Sequence, residues 1–261
     1  MSAKLFEQEC ANPSTTHPVA VQARKHAADT GANIAQSLTA KAAGIQRPRG
    51  TVGEYKTDIL FGNATVSVKQ DGAVQLSSAE GKTSANMFRA VDNSFPADLR
   101  ATFAAAGLTN IIKGLQSMPI RSVANQNIQR VLDEQPSTRN WNSKNWFLNG
   151  KLLPQYDLDL WMSTVGNRLE NEIENFLETH PLFTHRLIEE ALTGRYTMTG
   201  GQDIRGAATH ILTPYYYKLI DNNYIRKVVN DPSLRVRISA KSRKGVSSST
   251  MRIDYKVTDS A

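Results

Sequence analysis

Hydrophobic and polar positions change period several times along the chain, and each change predicts a different element. From Pro18 to about Gly44, Val21, Arg24, Lys25, Ala28 and Ala32, continuing through Ile34, Leu38 and Ala42, form a mostly small amphipathic stripe. That spacing predicts a helix, with Gly44 as its stop signal. Residues 2–17 read as an arm with room for one short helix before Asn12-Pro13. The period then drops to two. Residues 55–61 and 64–69 are β-rich runs separated by Gly62-Asn63, a pair suited to a two-residue hairpin turn. Asp71-Gly72 marks a second turn, before a short strand at 74–76 and a Ser-rich bend. Pro96, Gly107 and Pro119 punctuate short helices between Lys82 and about Glu134. A polar loop carrying Trp141 and Trp146 follows at 135–150, then a long helix at 156–178 and another at 181–192 opened by Pro181. After a glycine-rich loop at 193–206, alternation returns at 234–240 and 250–257, joined by the basic tip 241–249. The expected fold is mixed α/β and helix-rich, with one central sheet flanked by helices and a C-terminal β-hairpin. Residues 1–92 hold the first helix and the Gly62-Asn63 hairpin. Residues 93–261 hold the helical region and the basic ribbon, within one continuous domain.

Composition narrows the classes. A 40% hydrophobic content over 261 residues can fill a core. Cys10 is the only cysteine, which excludes a disulfide scaffold and a cysteine-based zinc site. No run of about 18 apolar residues is present, so no transmembrane helix is expected. The first ten residues lack a secretory pattern, and the expected location is the cytoplasm. His180 and His185 lack the i,i+4 spacing of a helical metal pair, and His210 lies in a buried-looking run. The glycines of 194–206 lack the Gly-Lys-Ser/Thr ending of a phosphate loop, and no dinucleotide fingerprint or nucleophile elbow occurs. Kinase, nicotinamide enzyme and lipase are thereby disfavoured.

Charge points the other way, toward a partner. Lys and Arg number 31 against 24 acids, a net +7, and such a balance favours an anionic ligand. Arg235, Arg237, Lys241, Arg243, Lys244 and Arg252 make a one-signed field on the C-terminal ribbon, and Arg47 and Arg49 form a second cluster. The alternative use of such a ribbon is a charged edge that resists aggregation. Tyr215, Tyr216 and Tyr217 cannot all face one way, so at least one belongs to the core.

The hairpin around Gly62-Asn63 is the most informative segment. A two-residue loop pairs Phe61 with Ala64, Leu60 with Thr65, Ile59 with Val66 and Asp58 with Ser67. Alternation then puts Asp58, Leu60, Thr65, Ser67 and Lys69 on one face and Ile59, Phe61, Val66 and Val68 on an apolar face. Asp58 lies beside Ser67 and diagonal to Lys69. Alone, an Asp–Lys pair on a sheet face is an ion pair worth about 0.2–1 kcal/mol.

This arrangement resembles the PD-(D/E)xK nuclease superfamily, in which one strand of a hairpin opens with Asp and the next carries acid-x-Lys. Here Asp58 matches the first element and Ser67-Val68-Lys69 the second. The resemblance covers about residues 20–92 and departs from the family at Ser67, where an acid is usual. It implies a restriction-endonuclease-like core, Mg²⁺ (with Mn²⁺ able to substitute) and hydrolysis of DNA phosphodiester bonds, with Lys69 assisting the attacking water or the developing phosphate charge. It also implies a restriction- or phage-type enzyme in the cytoplasm of a bacterial or phage-infected cell, dimeric if it cuts both strands. The metal ligands implied are Asp58, the Val68 carbonyl and a further acid, because Ser67 alone is a poor Mg²⁺ ligand. Glu54, just before the first strand, and Asp29, the only acid at 21–43 in what reads as the first helix, are preferred. The family often draws an acid from that helix. Glu7 and Glu9 qualify if the N-terminal arm folds back, and Glu80 follows the strand by a turn. Gln75 and Lys82, the latter at a helix start, are positioned to meet phosphate oxygens. The competing expectations are a non-enzymatic DNA-binding protein that uses the basic ribbon and, below it, a structural or inhibitory protein that meets an acidic partner.

Overall fold

The computed structural model describes residues 3–45, 55–69, 73–119, 146–148, 151–153, 160–198, 203–243 and 246–256. It is a mixed α/β, helix-rich chain, as its periodicities predict. Two compact units emerge, Met1–Leu76 with Leu182–Leu234 and Asp254–Ala261, and Ser77–Pro181 with Arg235–Ile253. Each unit draws on separated stretches of chain. Among the described residues, no helix is long and apolar enough to cross a membrane.

The first unit is built on a five-stranded sheet of order β1-β2-β3-β7-β8. Its strands are β1 (Ser37–Thr39), β2 (Ile59–Phe61), β3 (Ala64–Val68), β7 (His210–Leu212) and β8 (Tyr217–Leu219). The hairpin register is the expected one, with Phe61 opposite Ala64, Leu60 opposite Thr65 and Ile59 opposite Val66. β7 runs parallel to β3, and the other pairings are antiparallel. The apolar face of the hairpin, Ile59, Phe61, Val66 and Val68, packs with Leu212 and Tyr217 against two N-terminal helices. These are α1 (Ala3–Ala11), which contributes Phe6, Cys10 and Ala11, and α2 (Pro18–Asp29), which contributes Ala20, Ala23 and Ala27. The alanines recur at helical spacing, so α2 offers a smooth stripe that a sheet can approach closely. The polar face is covered as well. Leu60, Thr65 and Ser67 are buried, and the Thr65 hydroxyl donates to the Ala207 carbonyl at 2.7 Å.

One sequence expectation is corrected here. The helix starting at Pro18 does not reach Gly44. It ends at Asp29, because Gly31 adopts a left-handed φ of +87° and turns the chain, and Leu38 then lies in β1 instead of on a helix face. β7 and β8 lie in a stretch to which the sequence pattern assigns no element.

In the second unit, α3 (Gly81–Asn93), α4 (Ala97–Ala105) and α5 (Leu108–Gln116) realise the expected short helices. The helical run 160–179 contains a π segment, Met162–Gly166, before α6 (Asn167–Thr179). Leu108, Ile111 and Leu115 of α5 and Leu169, Ile173 and Phe176 of α6 are buried at three- and four-residue spacing, and Gly114 of α5 admits the Leu169 side chain. β4 (Ala73–Glu80) extends through the serines expected to bend. It belongs to a three-stranded sheet of order β4-β10-β9 with β9 (Arg235–Arg243) and β10 (Val246–Lys256). This is the expected C-terminal pair of strands in a sheet of its own, so the single central sheet is corrected to separate sheets. β5 (Trp146–Leu148), in the stretch expected as a polar loop, pairs with β6 (Lys151–Leu153) just beyond it. The remaining described α-helices, α7 (Pro181–Thr193), which matches its expected span, and α8 (Asn222–Val229), fall, apart from Pro181, in the stretch Leu182–Leu234 of the first unit.

Candidate active site

The chain entering β2 is pinned before it reaches Asp58. The amides of Lys56 and Thr57 both donate to the Gly206 carbonyl, at 2.9 and 3.2 Å, and the Thr57 hydroxyl donates to the Arg205 carbonyl at 2.7 Å. Glycine is required at 206, because a Cβ there would sit 2.6 Å from the Tyr55 ring. From that anchor the Asp58 amide donates to the Val66 carbonyl at 2.9 Å. Its carboxylate turns back onto β3, where Oδ2 accepts the Val68 amide at 2.7 Å and the Ser67 hydroxyl at 3.3 Å. Both bonds fall on Oδ2, and Oδ1 takes no hydrogen bond among the described residues. At the end of β3 the Lys69 amide donates to the Leu212 carbonyl at 2.8 Å, so β7 fixes the strand that carries the lysine.

Burial pushes the Asp58 carboxyl above the ordinary range. The Lys69 charge, the Val68 and Ser67 hydrogen bonds and the Lys56 charge oppose that rise. Asp58, Ser67, Val68 and Lys69 are thus brought together as the sequence predicts.

The further acid is where structure and preference part. Asp29 is the exposed last residue of α2. The reason is the shortened helix, whose end leaves Asp29 on the surface. Glu54 lies outside the described residues. Glu7 on α1 is the acid on whose carboxyl the Asp58 and Lys69 charges act. Phe6, its neighbour, is fully buried in the sheet core, and this docking leaves Glu7 half-buried within the fields of Asp58 and Lys69. Burial raises its pKa first and the Asp58 charge second, while Lys69 and Lys4 lower it. Glu9 is used locally, where it accepts the Thr15 hydroxyl at 2.5 Å. Glu80 is exposed and immediately precedes α3.

Two partly desolvated carboxyls that repel each other fit a divalent cation, which relieves both penalties. The donors on offer, Asp58 Oδ1, Glu7 and the Val68 carbonyl, are hard oxygens of the kind Mg²⁺ takes. Cys10 is no nucleophile, since it is fully buried with its thiol pushed up to about 12.

No protein-family model, no curated protein and no solved structure matches the chain. Its own geometry therefore carries the functional reading.

Two residues escaped the sequence. Lys56, two positions before Asp58, acts electrostatically on both Asp58 and Glu190, and its Nζ donates to the Leu76 carbonyl at 3.4 Å. Glu190 on α7 is buried, yet its oxygens are occupied by the Tyr196 amide at 2.5 Å, the Thr197 amide at 3.2 Å and the Thr197 hydroxyl at 2.6 Å. It closes the turn after α7 and is a poorer candidate than Glu7. Glu190 gives no sequence signal, because an acid on an amphipathic helix reads as surface charge. His210 is half-buried and stacks on Tyr217 with ring centroids 4.9 Å apart, which gives both rings structural work.

The expected nucleic-acid residues fall elsewhere. Arg235 and Arg237 are exposed on β9 while Val236 and Ile238 between and beside them are buried. Lys241 and Arg243 continue β9, Arg252 is half-buried on β10, Gln75 lies in β4, and Lys82 is exposed in the first turn of α3. Arg47, Arg49 and Lys244 lie outside the described residues.

Proposed function

We propose that the chain is a Mg²⁺-dependent DNA endonuclease of the PD-(D/E)xK type, with Asp58, Glu7 and Lys69 at its site. The observation that carries this reading is the Asp58 carboxylate turned onto β3, held there by the Val68 amide and Ser67 hydroxyl beside Lys69, with Glu7 of the first helix within the fields of Asp58 and Lys69. Glu7 would supply the second carboxylate that Ser67 cannot.

In this reading Asp58, Glu7 and the Val68 carbonyl hold the ion, and Ser67 and the Val68 amide keep the Asp58 carboxylate turned toward β3. Bound Mg²⁺ supplies Lewis-acid polarisation of the phosphate and an acidified water. Lys69 offsets negative charge that grows on the phosphate oxygens in the transition state, a contribution worth about 10²–10³ in rate for comparable preorganised donors. Arg235 and Arg237, on the exposed face of β9, hold the DNA backbone in a sequence-independent way. A two-fold dimer suits cleavage of both strands.

The exposed-Arg, buried-apolar alternation of β9 also favours a second reading, a DNA-binding protein without chemistry. Supercoiled plasmid incubated with Mg²⁺, Mn²⁺ or EDTA separates the two. The nuclease nicks or linearises the plasmid with either metal, and EDTA, Asp58→Ala and Lys69→Ala each remove that activity. Wild type and variants that all shift the plasmid and leave it intact would support the binder instead.

A further inference from the structure

Arg24 is a buried cation at the junction of four segments of the first unit. Its side chain projects from α2 and is only 6% exposed. Nη1 donates to the Cys10 carbonyl at the end of α1 at 2.6 Å and to the Ser37 hydroxyl of β1 at 3.0 Å, and Nη2 donates to the Ile34 carbonyl at 2.8 Å. The guanidinium also lies 5.8 Å from the centroid of the Phe61 ring of β2. Among the described residues no carboxylate pairs with it. Burying a charge against neutral carbonyls is costly, so the geometry it fixes is the feature that needs explaining.

That geometry concerns α1. A nine-residue helix is too short to be stable alone, and tertiary contacts must set its position. Cys10, whose carbonyl Arg24 grips, lies one turn from Glu7 on the same helix. We propose that Arg24 is a positioning residue, a clamp that locks α1 against β1 and β2 and thereby fixes where Glu7 sits relative to the hairpin that carries Asp58. The inference rests on the metal-site reading above. A planar fork can reach two carbonyls and a hydroxyl at once, and lysine cannot reproduce that.

Two readouts on the full chain test it: labelling of Cys10 by the thiol reagent DTNB, and calorimetric titration with Mg²⁺ alone. Cys10 is fully buried, so labelling reports the opening of α1. Arg24→Lys is expected to speed labelling by on the order of tenfold as the clamp's bonds are broken. Its Mg²⁺ affinity is expected to fall by about 10–100-fold, as for other residues that orient a ligand. In a Glu7→Gln background the same substitution is expected to change Mg²⁺ affinity by less than about twofold, because the residue through which it acts is gone. Ser37→Ala, which removes one acceptor and keeps both carbonyls, is expected to lie between wild type and Arg24→Lys. It provides the test if Arg24→Lys does not fold.

Unchanged labelling overturns the clamp. Faster labelling with unchanged Mg²⁺ affinity reduces Arg24 to a structural role and overturns the positioning claim, as does an undiminished effect in the Glu7→Gln background. A wild type that binds no Mg²⁺ removes the metal site and the positioning claim together. The labelling result would then still show whether Arg24 holds α1, so the two failures are distinct.

Discussion

Asp58 is held between opposing demands. Burial favours its neutral form, whereas its proposed work requires the charge that Lys69 and the Val68 amide support. The sign of the stability effect follows. A carboxyl whose folded pKa is raised favours folding below its unfolded value, and that contribution is lost as pH rises through the folded value. Ionising Asp58 as the pH rises is therefore a cost to the fold. Asp58→Asn keeps an acceptor for the Val68 amide and is expected to raise stability at pH 7 by roughly 1 kcal/mol, a usual size for a single substitution. Urea unfolding at several pH values checks this, and the gain should vanish below the ordinary Asp pKa of about 3.9. Cleavage should run the opposite way. Burial raises both Asp58 and Glu7, so activity should climb with pH on the alkaline side of the usual carboxylate range, and the pH profile of single-turnover cleavage reports it. At this scale the Asp58–Ser67–Lys69 grouping is legible in the sequence, because alternation along paired strands fixes neighbours. Glu7 is legible only on condition that the arm folds back, since its approach depends on how α1 docks.

Elements differ in how plainly their sequences announce them. The hairpin is written locally: Gly62-Asn63 sets the turn, and a one-residue slip would send Phe61 and Val66 to the wrong face, so the register is determined. The helix at Pro18 reads too long because the small-residue stripe continues past Gly31, where the backbone turns. β7 and β8 have three residues each, too few for a period to register, and their strand conformation comes from pairing with β3 and with each other. The loop that anchors Asp58 is equally silent in sequence, yet the structure makes Gly206 sensitive. Gly206→Ala should push the Tyr55 ring away and cost about 1–3 kcal/mol as an overpacking change. A lowered denaturant midpoint with an unchanged slope is the expected record of that loss.

Across the whole molecule, the excess of 31 basic over 24 acidic residues is what points to a polyanion. β9 gives part of that charge a definite presentation, with Arg235 and Arg237 outward and Val236 and Ile238 inward. In an Asp58→Ala background, where cleavage does not interfere, Arg235→Gln with Arg237→Gln should weaken binding to unrelated DNA sequences alike. It should also make the salt dependence shallower by about 0.9 for each phosphate that is no longer neutralised. Equal slopes would remove β9 from the interface. The fold class and the hairpin are readable from the chain, while the division into two units is not, because each unit is assembled from stretches far apart in sequence. The central claim is that Glu7 and Asp58 together hold a catalytic metal. Its most direct test is the Mg²⁺-dependent nicking rate of supercoiled plasmid for wild type, Asp58→Ala, Glu7→Gln and Asp29→Asn side by side. Wild type and Asp29→Asn should cleave, whereas Asp58→Ala and Glu7→Gln should both lose cleavage while gel-shift binding persists. Undiminished nicking by Glu7→Gln, or no metal-dependent nicking by wild type, would contradict it.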